Sequence, residues 1–159
     1  MKKNFYITWD KKLISKAFKI TEKDVHEYFT DGRRVSFLIE RRLKWDHPGW
    51  ELAKSEGAGY DLKDPNKGLW EVRSITRAGV YFTPSNQVGS GRKFNENDFN
   101  KKLSNIKGFI LTDIEQFPRM EVFVVSVENI IRWYSNGLLG KNAKISREKF
   151  LTQLSQDIT

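Results

Sequence analysis

The chain has no cysteine and only two histidines, His26 and His47, among its 159 residues. Disulfides and thiolate metal sites are therefore excluded, and a zinc centre built on imidazoles has too few ligands. Any metal would have to be held by oxygen, which suits Mg²⁺ or Mn²⁺. No apolar run approaches the ~20 residues of a membrane-spanning helix. The N-terminal MKKNFYITWDKK carries base but no apolar core of signal-peptide length. A cytoplasmic protein with no membrane partner is expected.

What the chain does have is base. Lys and Arg number 28 against 20 Asp and Glu, a net charge of +8. Such an excess points towards a polyanion, since Lys and Arg at phosphates release condensed counterions. The length suits one domain with a real core.

Apolar spacing and cap residues predict the elements. Lys11 to Phe18 reads as a short helix. Thr21 with Asp24 opens a second helix, with Val25, Tyr28 and Phe29 on its buried face. A third runs from Arg33 to Trp45, with Val35, Leu38, Ile39 and Leu43 at helical spacing. Trp50 to Ala53, Leu69 to Ile75 and Val80 to Thr83 read as strands. Asn95 caps a helix reaching about Ser104, with Phe99, Leu103 and Ile106 apolar. Gly108 to Ile114 and Met120 to Val127 are continuous apolar runs, as expected of strands buried on both faces. Val127 to Tyr134 reads as a helical turn, and Ser146 caps a last helix to about Leu154. Trp45, Trp50, Trp70 and Trp133 are expected in the core or at an interface. The order implies an α/β (α+β layered) fold, a central mixed sheet flanked by helices. One domain covers 1–159: a helical N-terminal extension at 1–32, a core at 33–127 and a C-terminal helical part at 128–159.

The chemistry concentrates in GAGYDLKDPNKGLWEVRSIT, residues 57–76. Asp64-Pro65-Asn66-Lys67-Gly68 is turn-forming, so two extended pieces fold back as a hairpin. In a strand Glu71 and Arg73 share one face, and the hairpin brings Asp61 beside them. Two carboxylates can hold Mg²⁺ against a phosphodiester, the Val72 carbonyl can add an oxygen ligand, and Arg73 can stabilise phosphate charge. The same residues also admit a plainer reading: Asp61 as a turn residue, and Glu71 with Arg73 as a surface ion pair worth about 0–1 kcal/mol.

From FLIERRL through GAGYD to WEVRS, within Arg33 to Val127, the chain resembles the PD-(D/E)xK nuclease superfamily, the fold of many restriction endonucleases and of junction resolvases. The resemblance implies Mg²⁺-dependent DNA cleavage with Asp61 and Glu71 as metal ligands and Glu40, on its helix, as an accessory. It also implies double-stranded DNA as substrate, a restriction-type endonuclease acting as a homodimer, and a companion methyltransferase. A junction resolvase, or a DNA-binding protein that has lost turnover, are the other readings. The chain departs from the pattern at Tyr60, where proline is common, and at Arg73, where lysine is usual. Arg keeps its proton under all accessible conditions, so Arg73 can supply charge but not act as a base.

The segment PSNQVGSGRKFN is the expected DNA contact. Asn86 and Gln87 can bond adenine, Arg92 guanine, and Lys93 a phosphate, with Ser90 and Arg77 beside them. The groups Arg33-Arg34 and Arg41-Arg42-Lys44 read as a solvated helix face able to track phosphates. Lys101, Lys102, Lys141 and Lys144 read as solubility charges.

Overall fold

A computed structural model describes residues 4–88 and 91–158. The elements in chain order are β1 (Asn4–Thr8), α1 (Lys11–Phe18), α2 (Glu22–Phe29), α3 (Gly32–Asp46), β2 (Glu51–Leu52), β3 (Leu62–Lys63), β4 (Leu69–Ile75), β5 (Val80–Tyr81), α4 (Glu96–Asn105), β6 (Gly108–Asp113), β7 (Arg119–Ser126), α5 (Val127–Ser135), β8 (Lys144–Ile145) and α6 (Arg147–Ile158). A mixed sheet, in the order β1-β7-β6-β4-β3-β2, carries helices on both faces. β4 and β6 are parallel; the other neighbouring strands are antiparallel. No helix among the described residues is long and apolar enough to cross a membrane.

Alternation along the strands sorts the core into two halves. Trp70, Val72, Ile110, Met120 and Val122 face α2 and α3, meeting Val25, Phe29, Val35, Ile39 and Leu43. Ile75, Phe109, Leu111, Phe123 and Val125 face the other way, against Phe99 and Leu103 of α4, Ile130 and Trp133 of α5, and Phe150 of α6. Every residue of β6 is buried, as its continuous apolar run requires of a strand sandwiched between helices. Gly108 has no room for a side chain: a Cβ there would lie 2.3 Å from the Val125 carbonyl oxygen.

Helix boundaries follow the caps. The Thr21 hydroxyl accepts from the Asp24 N–H while Asp24 accepts from the Thr21 N–H. Asn95 caps α4 through the Asp98 N–H. Tyr28 turns out exposed, so only Val25 and Phe29 of α2 enter the core. Trp70 and Trp133 are buried, whereas Trp45 is 83% exposed and serves neither core nor packing.

Two short strands are absent from the sequence-based expectation. β1 pairs with β7 from Asn4↔Phe123 to Thr8↔Arg119 and buries Ile7 completely. The segment expected as a helical extension at 1–32 does hold α1 and α2, but its residues 4–8 also join the central sheet and α2 enters the core. β8 pairs with β5 in a separate two-stranded sheet, so the strand at Val80 lies outside the central one. Both were hidden because short strands carry too few residues for a period to show.

The 64–68 turn is held by one carboxylate. Asp64 accepts from the Asn66 N–H at 2.8 Å, the Gly68 N–H at 2.8 Å and the buried Trp70 Nε1 at 2.9 Å. The positive φ falls on Lys67, at 65°. Gly68 is needed for space instead, since a Cβ would come within 2.5 Å of the Asp64 carboxylate. Asp64→Ala removes three acceptor contacts at once, one to a buried indole. Urea unfolding should show a loss of about 2–3 kcal/mol without loss of the folded baseline.

Candidate active site

β3 pairs with β4 through only two residues, Leu62↔Trp70 and Lys63↔Leu69. Beyond Trp70 the ladder opens. Asp61 still donates its N–H to the Trp70 carbonyl at 2.9 Å, but the next β4 donor, the Val72 N–H, bonds the Asp61 side chain at 2.7 Å. A carboxylate therefore stands where a strand partner would. The N–H and C=O of one strand residue point to the same edge, so the Val72 carbonyl also faces this opening. The gap exposes the β4 edge to groups from both faces of the sheet.

From one face comes Glu71, whose side chain is only 3% exposed. It pairs with Arg73 through Oε1 and with Lys102 through Oε2, the latter at 2.7 Å. Lys102 is on α4 and 11% exposed. Arg73 also donates to the Thr83 carbonyl at 3.2 Å and to Ser85 Oγ at 3.0 Å, tying the following loop to the site. From the other face comes Glu40 on α3, half-buried and close enough to Asp61 and Glu71 to feel both charges.

The electrostatics follow from this crowding. Burial, then repulsion from Asp61 and Glu71, pushes the Glu40 carboxyl up to about 7, against attraction from Arg41 and Arg73. Burial, then repulsion from Glu71, pushes Asp61 up to about 6, against the Val72 N–H, Arg73 and Lys102. Burial moves the Lys102 ammonium down, although its pair with Glu71 opposes this. Two polar atoms here, Arg73 Nε and Thr83 Oγ1, are buried without a hydrogen-bond partner, so the site has bonding capacity that its own residues do not consume.

The sequence-predicted residues thus divide. Asp61, Glu71, Arg73, the Val72 carbonyl and Glu40 converge. Among the described residues, no three acidic or histidine side chains already stand in ligand positions about one point. Glu71 is engaged by its two cations and Asp61 by an amide. In the 84–95 segment, Gln87 bonds Asp98 at 2.8 Å and the Asn95 N–H at 2.9 Å, so its amide braces the loop against α4 rather than facing outward free. Arg92 donates to the Ser85 and Val88 carbonyls, each at 3.2 Å. Asn86, Lys93 and Arg77 are exposed, and Ser90 lies outside the described residues.

Lys102 is the residue the sequence reading misplaced. Its signal was present: it follows Phe99 by three and precedes Leu103, inside the apolar stripe of α4, where a lysine meant only for solubility has no place. Comparison with protein-family models, with curated proteins and with solved structures finds no match for this chain.

Glu40 and Asp61 hold protons more tightly when folded than their ordinary values of 4.5 and 3.8 allow. Their contribution to stability is full below about pH 4 and is lost as pH rises through 6 and 7. In EDTA, Glu40→Gln should flatten this dependence. The variant should be more stable to unfolding than wild type at pH 8, by an amount on the order of 1–2 kcal/mol, and about level with it at pH 4.

Proposed function

We propose that the chain is a metal-dependent endodeoxyribonuclease that hydrolyses phosphodiester bonds at the opening between β3 and β4. The observation that carries this reading is the convergence of Glu40, Asp61 and Glu71 with Arg73 and Lys102 at that one edge. A structural ion pair needs one acid and one base; three acids pushed together, two of them with weakened acidity, need another explanation.

The donor set fits Mg²⁺ or Mn²⁺: carboxylates of Asp61, Glu71 and Glu40 with the Val72 carbonyl are hard oxygen ligands. With all three acids ionised, they and the two cations sum to one negative charge, which a divalent ion would reverse in readiness for a phosphodiester anion. Bound there, the ion would polarise the phosphoryl oxygen and lower the pKa of the attacking water.

The remaining work falls to the chain. Arg73, permanently charged, steadies negative charge on the phosphate and keeps Glu71 oriented. Its unpaired Nε and the Thr83 hydroxyl are further donors for phosphate oxygens. Lys102 differs from Arg73 in being able to lose its proton, and its burial favours that loss. It can take the proton of the attacking water, the step closed to Arg73. Substitution of lysine by Arg73 is thereby answered by a lysine reaching the same carboxylate from a helix. A sequence-specific enzyme of restriction type, paired as a homodimer to cut both strands of a symmetric site, is the form this activity takes in the reading.

Plasmid DNA incubated with the protein and Mg²⁺ should yield discrete linear fragments. A plasmid left intact while a synthetic four-way junction is cut would assign the site to structure-selective cleavage instead. Asp61→Ala and Glu71→Gln should abolish cleavage, the amide of the second keeping a hydrogen-bond acceptor beside Lys102 though not its counter-charge; full activity in Asp61→Ala sinks the proposal. Arg73→Lys should keep substantial activity. Lys102→Ala should lose at least about 100-fold in rate, and Lys102→Arg, which restores charge but not a removable proton, should not recover it.

A further inference from the structure

α3 has one face in the core and a second that nothing among the described residues covers. Val35, Ile39 and Leu43 are buried, while Arg33, Arg34, Phe37, Arg41, Lys44 and Trp45 are exposed. At ~100° per residue these six fall within about a third of the helix circumference, with Glu40 at one margin of the arc. Phe37 is 55% and Trp45 83% exposed, and the Arg41 guanidinium lies over the Phe37 ring at 3.2 Å from its centroid. Arg34 pairs with Asp31 at the helix start and Arg41 reaches Glu40 at 3.8 Å. Arg33 and Lys44 have no ion-pair partner among the described residues. Arg42, by contrast, turns away to Asp46, the Thr8 carbonyl and the Trp9 ring.

We infer that this outer face of α3 is a binding track for a single-stranded segment of DNA beside the scissile bond. The inference rests on the phosphodiester-hydrolysis reading of the neighbouring site, not on its duplex-cutting restriction form, and adds an unpaired strand as the substrate feature that the site engages. Charge complementarity selects the occupant: four cations interleaved with two exposed rings suit a strand carrying a phosphate and an aromatic base per repeat. An apolar partner helix would leave those cations desolvated and unpaired. The rings specify an unpaired strand, because a base stacks on Phe37, on the outer plane of the Arg41 guanidinium or on Trp45 only when it is out of a duplex. Phe37 and Trp45 are ~12 Å apart along the axis, so successive bases can use separate platforms. Glu40 closes the argument spatially. It borders the track and senses the Asp61 and Glu71 charges, so a strand held on α3 runs into the carboxylate cluster.

The test measures fluorescence anisotropy of a labelled oligothymidine strand and of a labelled mixed-sequence duplex, both in EDTA so that nothing is cut. The strand should bind more tightly than the duplex. Phe37→Ala and Trp45→Ala should each weaken strand binding roughly tenfold. Removing Arg33 and Lys44 together should reduce the slope of log affinity against log salt by about 1.4. Lys149→Ala, on α6 at the opposite face of the sheet, should change neither. All substituted positions are exposed, so folding, checked by circular dichroism, stays intact. Absence of strand binding, or binding indifferent to Phe37 and Trp45, overturns the inference. So does a change confined to oligomeric state in sedimentation, which would make the face a protein contact. Binding that obeys the pattern in a protein that cuts no DNA with Mg²⁺ would support the track and remove the hydrolase reading alone.

Discussion

Glu71 is a carboxylate taken almost wholly out of water in the middle of a central strand, and it can be there because Arg73 and Lys102 come with it. An isolated buried carboxylate costs several kcal/mol even after relaxation, so the two cations are a condition of the strand's position. Each cation commits a further part of the fold. Lys102 fixes how α4 lies on the sheet. Arg73 carries the restraint onward to Thr83 and Ser85. The short reach of the β3–β4 ladder belongs to the same arrangement, because it leaves the Val72 N–H for Asp61 and admits a second acid from α3 on the far side.

The result is a site reached from both layers of the molecule. A closed sheet would segregate Glu40 from Lys102, one lying with α3 and the other with α4. Where β3 diverges, only an opening separates them. The carboxylates are buried and held closer than their mutual repulsion favours, and both effects show in the weakened acidity of Glu40 and Asp61. Strain of this kind persists only where surrounding packing fixes it. Here β6, buried along its whole length, and the two apolar layers around it hold the backbone that presents these groups.

Much of this was legible beforehand because the relevant signals are local. The cap residues Thr21, Asn95 and Ser146, the turn at Asp64–Gly68 and the uninterrupted apolar runs of β6 and β7 act over a few residues each. Their elements lie where the spacing places them. The alternation in Leu69–Ile75 was enough to put Glu71 and Arg73 on one face. What escaped the sequence depends on pairing at a distance. β1 becomes a strand by finding β7 more than a hundred residues away, and β8 by finding β5. Gln87 and Arg92 look like surface groups until the fold supplies Asp98, Ser85 and Val88 as partners. Trp45 looks like core until α3 is seen to present it outward.

By itself, the sequence determined the chain's positive charge, its lack of soft metal ligands, most of its helices and strands, and the pairing of an acid with a cation on β4. These follow from composition and from short-range backbone preference. Tertiary structure alone decided that Lys102 leaves solvent to bind Glu71, that Glu40 comes within range of Asp61, and that the outer face of α3 stays bare beside them. Each of those facts depends on which helix packs on which face of the sheet, and that is settled by the burial of side chains distant in sequence.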